Sequence, residues 1–183
     1  MASMQSQLTT AVRERRIVKF SRRFEKSPVC GYVLDIGPKF FLMGLVSDRI
    51  WLDGFECFRI ADIMNLRNDP HGDFAEAAMV KRGEHLPPKK PRVKLANISE
   101  LLRTASRAFP LIAIHREQVN PRFCWIGRVV EITRTHVHFL EINPNASWYK
   151  APSKYRLSEI THVNFGGDYE DALNLMGGEP NRF

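Results

Sequence analysis

Basic side chains gather in two stretches of this sequence, and side chains of this type bind phosphate groups. The first stretch, "RERRIVKFSRR", holds Arg13, Arg15, Arg16, Lys19, Arg22 and Arg23. The second stretch, "PPKKPRVK", holds Lys89, Lys90 and Arg92. Because neutralised phosphates release their counterions, one surface built from both stretches would bind nucleic acid. A plainer interpretation makes the first stretch an edge strand protected by its charge and the second a solvated, self-repelling linker.

Aromatic residues beside lysines form a second candidate contact for nucleic acid. In "SWYKAPSKY", Trp148 and Tyr149 precede Lys150, and exposed rings next to cations stack on unpaired bases. We therefore add Trp148 and Lys150 to the predicted nucleic-acid site. Large aromatic rings also serve as core residues or as anchors for a protein partner, and the sequence leaves both alternatives open.

The histidines and cysteines indicate a metal site or a catalytic site less clearly. His136 and His138 fall on one face of a predicted strand, and with His162 they would supply three zinc ligands. At the positions that correspond to His136 and His138, an earlier and similar segment of the chain has Phe40 and Leu42. These apolar residues indicate that the histidines have a packing role, so we predict no metal and no cofactor. Cys124, His115 and several serines are present without a nucleophile motif or a phosphate-binding loop. We therefore predict a non-enzymatic protein with no catalytic residues.

Composition narrows the class of protein. The 183 residues are 44% hydrophobic and carry a formal net charge of +7, which is typical of a folded protein with acidic partners. The three cysteines show no paired spacing and indicate buried free thiols in a reducing compartment. No apolar run approaches the ~20 residues of a membrane span. We expect a soluble cytoplasmic protein without a membrane partner.

One chain segment is repeated. "GDFAEAA" begins at Gly72 and "GDYEDAL" begins at Gly167. Upstream, "GYVLDI" matches "GRVVEI", and "FRIADI" matches "YRLSEI", in the same order and at a nearly constant offset. This pattern indicates a duplication. We predict a first domain over 1–83, a basic Pro-rich linker over 84–96, a second domain over 97–178 and a tail over 179–183.

Each copy predicts the same series of elements. In the second copy, apolar residues recur at helical spacing from Ile98 to Phe109, with Asn97 as the N-cap. Met4, Leu8 and Ala11 give a weaker helix in the first copy. Five short strands should follow, and then the repeated motif should form a short helix that closes a barrel. In the second copy we expect Asp168 to cap this helix. Its apolar stripe should comprise Tyr169, Ala172, Leu173 and Met176, and the first copy should repeat the pattern with Phe74, Ala77 and Ala78.

A helix followed by five short strands, with a G-x-V-x-x-I pattern on the second, resembles the Sm-like small β-barrel family. The resemblance implies a mainly β fold of two tandem five-stranded barrels, each with an N-terminal and a C-terminal helix. It also implies binding of single-stranded RNA and assembly into oligomers. The family's RNA-binding motif positions are occupied by Gly37 and Phe41 in copy one, and by Thr133 and Val137 in copy two. The family's RNA-binding residues are thus not retained.

These observations favour a binding protein whose partner is single-stranded RNA or DNA, held by the basic surface. The alternative is a protein-interaction or regulatory module that binds a protein partner. We expect a homo-oligomer in either case.

Overall fold

The chain divides into two compact units, unit 1 (Met1–Pro91) and unit 2 (Arg92–Phe183). The structure is a computed structural model that describes residues 3–25 and 27–180. The last three residues of the predicted tail therefore lie outside the described residues.

Unit 1 is an antiparallel sheet with a helix at each end of its sequence. Its elements are α1 (Met4–Glu14), β1 (Ile17–Arg22), β2 (Val29–Ile36), β3 (Phe40–Val46), β4 (Leu52–Arg59), β5 (Ile63–Asn68) and α2 (Gly72–Lys81). The strands pair in the order β5-β1-β2-β3-β4. A 3₁₀ helix (Ile60–Asp62) joins β4 to β5, which lie at opposite edges of this order.

Unit 2 repeats this arrangement. Its elements are α3 (Ile98–Ala108), β6 (Ile112–His115), β7 (Cys124–Ile132), β8 (His136–Glu141), β9 (Ser153–Arg156), β10 (His162–Phe165) and α4 (Asp168–Gly177). The strand order is β10-β6-β7-β8-β9, and a 3₁₀ helix (Leu157–Glu159) joins β9 to β10. The mainly β prediction is confirmed. The prediction of closed barrels is wrong, because within each described unit the fourth and fifth strands end the order on opposite sides without pairing.

The two units correspond residue by residue along the second and third strands. Gly31 pairs with Leu45 and Gly127 pairs with Glu141, and the register slips after Val33 and after Val129. A Cβ atom added at Gly31 would lie 2.2 Å from a carbonyl oxygen of β3, and one at Gly127 would lie 2.0 Å from a carbonyl oxygen of β8. Only glycine permits so close an approach of two strands. The same constraint at the same place in both units is what a duplication would leave.

Each sheet is covered by helices. In unit 1, Leu8 and Ala11 of α1 pack with Val18, Phe20 and other residues of one sheet face. Ala75 and Met79 of α2 pack with Ile17, Tyr32 and Val46, and the alternation along β1 puts these residues on the opposite face. The helix predicted to close a barrel thus covers a sheet face instead. In unit 2 the Asn97 cap is confirmed, since its side chain accepts a hydrogen bond from the Glu100 N–H at 2.9 Å.

The predicted apolar stripes of α2 and α4 are mostly exposed: only Leu173 is buried, and Ala78 is half-buried. Phe74 and Met176 are exposed, whereas Glu170 is buried. Glu170 is turned inward because it accepts a hydrogen bond from Asn164 Nδ2 at 2.7 Å. Gly167, not Asp168, is the N-cap residue of α4.

The segment predicted as a linker is irregular, and its first part packs on the sheet of unit 1. Glu84 accepts a hydrogen bond from the Leu52 N–H at 3.0 Å, and Lys90 pairs with Asp35 at 2.9 Å. Pro88 lies against Gly44, where an added Cβ would be 2.5 Å from the proline ring. These contacts fix residues 84–90 on unit 1 and so determine where the basic residues of the segment lie.

Candidate functional site

The predicted basic residues of the N-terminal stretch do not form one free surface. Arg22 is only 1% exposed, and its guanidinium pairs with Glu25 at 2.7 Å and lies 4.6 Å from the centre of the Phe58 ring. It is therefore a core residue and is removed from the proposed phosphate-binding surface. Phe20 lies on the same face of β1, two residues before Arg22, and its ring also packs against Phe58.

Carboxylates hold three more of these predicted residues. Arg23 contacts buried Asp62 at 2.6 Å, Lys19 contacts Asp69 at 3.1 Å, and exposed Arg16 contacts Asp73 at 3.5 Å. The guanidinium of Arg59 also binds Asp62 through two hydrogen bonds, of 2.7 and 2.9 Å.

These contacts lower the pKa of Asp62. Burial alone would raise this pKa, but the hydrogen bonds from Arg59 and then Arg23 outweigh burial and hold it below 3.8. Asp62 therefore stays ionised at neutral pH and keeps Arg23 engaged.

Three predicted residues from both basic stretches meet in one cavity of unit 1, which we call the basic cavity. It has a volume of about 560 Å³ and is lined by Val12, Arg15, Val33, Leu34, His85, Pro87, Pro88, Lys89 and Lys90. Arg15 enters it from the end of α1, while Lys89 and Lys90 enter it from the segment that packs on the unit. Of the remaining predicted residues, Arg13 and Arg92 are exposed and lie outside this cavity.

The backbone of Arg15 is in an unusual conformation. Its φ of 54° and ψ of 39° lie in the left-handed region, and its N–H closes α1 by donating to the Ala11 carbonyl. A side chain in this conformation costs about 1–2 kcal/mol relative to an ordinary helical residue. Glycine is the usual residue at such a helix end. The fold alone would therefore be better served by glycine than by arginine at position 15.

Trp148 lies in a different environment from the one predicted. It is half-buried, and its indole N–H donates to the carbonyl oxygens of Gly177 at 3.2 Å and Gly178 at 3.3 Å. The guanidinium of Arg128 lies 5.3 Å from its ring centre. Trp148 thus fastens the end of α4, while Lys150 is exposed.

The neighbouring residue, Tyr149, lines an aromatic cavity in unit 2. This cavity has a volume of about 530 Å³, and its rings are Phe123, Trp125, Tyr149 and Tyr169. Phe123 and Tyr149 are 62% and 53% exposed. Asn120, Asn143 and Glu141 supply polar groups in its lining. Flat rings with a few polar groups in a cavity of this size are typical of a small-ligand or base-binding site.

Sequence reasoning identified part of the aromatic cavity. The motif "SWYKAPSKY" drew attention to Tyr149, but Phe123 and Trp125 come from β7 and the loop before it, and Tyr169 comes from α4. The sequence "RFCW", in which the aromatic residues Phe123 and Trp125 flank Cys124, could have indicated two more rings of this cavity. Only the fold shows that these rings face one cavity.

The three histidines that the sequence offered as an alternative zinc site do not come together as one group. His136 pairs across the strands with Arg156, and His138 with Lys154. His162 instead lies beside His115, with ring centres 4.1 Å apart, and Glu117 completes a cluster whose ligand atoms all lie within 4.8 Å of one another. It is the single group of three such ligands found in the described part of the chain.

The cysteines are free thiols, but they are not all buried as predicted: Cys57 is buried, Cys30 is half-buried and Cys124 is exposed. Burial raises the pKa of Cys57, and burial followed by the Asp69 carboxylate raises the pKa of Cys30 to about 12. Both are therefore protonated, weak nucleophiles at neutral pH.

Within the described residues, no helix is both long and apolar enough to cross a bilayer. Comparison of the chain with family models, with curated proteins and with solved structures gives no match. Its function has to be inferred from the two cavities and the histidine cluster.

Proposed function

We propose that this protein binds single-stranded nucleic acid and catalyses no reaction on it. The observation that carries the proposal is the basic cavity, where Arg15, Lys89 and Lys90 line one concave surface. Cations gathered in a cavity with apolar walls attract phosphate groups more strongly than the same cations dispersed over a convex surface.

The strained backbone of Arg15 supports this assignment. Residues in sparsely populated backbone regions concentrate at functional sites, where the cost of the strain is offset by the use of the side chain. Arg15 combines a left-handed φ of 54° with a position in the cavity lining. Its guanidinium can bind two phosphate oxygens at once, which a lysine cannot do.

The aromatic cavity supports the proposal that the protein binds single strands in preference to duplexes. Its rings would stack on bases, and base faces are accessible only when the bases are unpaired. Asn120, Asn143 and Glu141 would contact the edges of a stacked base through amide and carboxylate groups. The hypothesis therefore gives phosphate contacts to unit 1 and base contacts to unit 2.

Two finer assignments belong to the same proposal. We propose that each unit is related to the Sm-like small β-barrels, supported by the helix followed by five antiparallel strands in both units. We also propose a cytoplasmic location, since three free cysteines suit a reducing compartment.

A second candidate function is a protein interface that forms a homo-oligomer. It is favoured by α4, where Leu175 is 81% exposed and Tyr169 and Met176 are also more than half exposed. Exposed apolar side chains gathered on one helix are typical of interaction surfaces. Light scattering of the purified protein tests this candidate, and a monomer at all concentrations would exclude the homo-oligomer.

Fluorescence anisotropy tests the main proposal. A labelled single strand and the duplex of the same sequence are titrated with the protein at low salt, as RNA and as DNA. We expect saturable binding of the single strand and weaker binding of the duplex. If no single strand binds at low salt, or if the duplex binds more tightly, the proposal is refuted.

A further inference from the structure

We propose that His115, Glu117 and His162 of unit 2 form a binding site for a divalent first-row transition metal ion, with Zn²⁺ as the preferred ion. Their ligand atoms lie within 4.8 Å of one another, and both Glu117 and His162 are buried. Two imidazoles and one carboxylate are a common zinc-binding set that leaves a fourth position for water or another ligand. This inference does not depend on nucleic-acid binding.

The strand register brings the three side chains together. His115 of β6 lies directly opposite His162 of β10, so both side chains point to the same face of the sheet. Glu117 follows His115 by two residues, and its N–H donates to Thr161 Oγ1 at 3.2 Å, which holds the backbone beyond β6 alongside β10.

Coordination requires a small closure of this cluster. In a tetrahedral site with Zn–N bonds of about 2.0–2.1 Å, the donor atoms are roughly 3.4 Å apart. The imidazole rings of His115 and His162 are stacked at 4.1 Å with 24° between their planes. Coordination therefore requires rotation of the His162 ring about χ2, a torsion that is soft for histidine, while His115 keeps its hydrogen bond to Asn164.

A hydrogen-bonded chain orients His115 for metal binding. Asn164 Nδ2 donates to Glu170 Oε1 at 2.7 Å, so Asn164 Oδ1 faces His115 Nε2 at 2.8 Å. An amide oxygen only accepts, so Nε2 of His115 carries a proton, and Nδ1 is the ring nitrogen that would bind the metal.

The carboxylate is positioned in a similar way. Glu117 Oε2 accepts a hydrogen bond from Thr161 Oγ1 at 2.7 Å, and Thr161 is itself buried. Outer partners of this kind fix the direction of metal ligands and raise metal affinity. His115 and Glu117 are thus both oriented by neighbours in unit 2.

The other unit offers an internal comparison. In unit 1 the pair opposite each other at this register position is Ser21 and Asn65, and the Ser21 N–H donates to the Asn65 side chain at 3.2 Å. The fold therefore accepts small polar residues at these positions. Metal-ligating residues at the same positions in unit 2 are a difference between the copies that the shared scaffold does not require.

Zinc binding is measured on the full chain after dialysis against a chelator, by competition with a fluorescent zinc indicator and by the shift in melting temperature. We expect one Zn²⁺ per chain and a higher melting temperature with Zn²⁺. The variant H115S/H162N, which copies the residues of unit 1, should lose this binding. The variant N164A should bind 10- to 100-fold more weakly, as expected for loss of a ligand-orienting partner.

The matched control is H136N/H138N, which removes the same number of histidines from the same unit outside the cluster. It should bind Zn²⁺ like the wild-type chain, and circular dichroism checks that each variant is folded. The proposal is overturned if the wild-type chain binds no stoichiometric Zn²⁺, if folded H115S/H162N keeps full affinity, or if H136N/H138N loses it. Should H115S/H162N fail to fold, unchanged affinity in N164A would overturn the proposal by itself.

Discussion

The basic cavity makes a quantitative prediction about salt. The triple variant R15A/K89A/K90A removes the cations that line it. For single strands, each phosphate contact contributes about −0.7 to the slope of log K against log salt concentration, so three contacts contribute about −2.1. Over a fourfold rise in salt, for example from about 50 to 200 mM, the wild-type affinity should then fall about 18-fold more than that of the variant.

One ion pair sets the lower limit of this effect. Lys90 contacts Asp35 at 2.9 Å, and both side chains are partly exposed. If Lys90 stays with Asp35, only two contacts count, the slope difference is about 1.4, and the difference in affinity loss is about sevenfold. Removing the competing carboxylate with D35N should then raise the slope toward the three-contact value.

Fluorescence anisotropy at three or more salt concentrations measures these slopes. The control is K39A/R49A/K81A, which removes the same charge from exposed positions of unit 1 outside the cavity. Its slope should stay close to that of the wild-type chain. Equal changes in the two triple variants would refute the reasoning, because the effect would then follow net charge and not the cavity.

Other predictions concern stability and base contacts. D62N should lower the free energy of unfolding by about 1.5–3 kcal/mol, since buried Asp62 loses its charge-assisted hydrogen bonds to Arg59 and Arg23, whose side chains are 20% and 53% exposed. Because the pKa of Asp62 is held below 3.8, this contribution should be complete above about pH 5 and be lost as the pH falls through the folded-state pKa. A difference between D62N and the wild-type chain that does not change with pH in urea denaturation would contradict this. G127A should cost about 3 kcal/mol because its Cβ would lie 2.0 Å from a carbonyl oxygen, whereas G72A meets nothing closer than 3.5 Å and should be near neutral by thermal melting. F123A and Y149A should each weaken single-strand binding about tenfold by anisotropy and leave stability unchanged; full affinity in both would exclude stacking in this cavity.

The features that could be predicted from the sequence are those set by local signals. The apolar spacing and the capping asparagine at Asn97 specify α3 within a few residues of chain, and the structure has that helix with that cap. The duplication was equally visible, because Gly31 and Gly127 recur at corresponding points and a close strand contact demands glycine at both.

The features that could not be predicted depend on partners far apart in the sequence. From the sequence, Arg22 is indistinguishable from the other cations of its basic stretch. In the structure it is buried against Phe58, which lies 36 residues further along the chain. Glu170 reads as a solvent-facing residue of an acidic helix, yet Asn164 draws it inward. In both cases a specific hydrogen bond or ring contact outweighs the ordinary tendency of a charge to remain in water.

A comparison of the two units separates residues that serve the fold from residues that serve a site. Arg22 lies over Phe58 at 4.6 Å, and Arg116, at the corresponding point of unit 2, lies over Tyr155 at 5.0 Å. This arginine–ring contact is kept in both copies, as a scaffold requires.

The positions of Ser21 and Asn65 in unit 1 correspond to those of His115 and His162 in unit 2, and here the residue types differ completely while the strand pairing does not. At these positions the two copies keep the same backbone pairing but have side chains of different chemical types. The fold therefore places little constraint on which residue stands there. The residues at these positions are the ones whose replacement should change binding while leaving the fold intact. That expectation applies to the histidine pair, and the unit 1 residues provide the substitutions with which to test it.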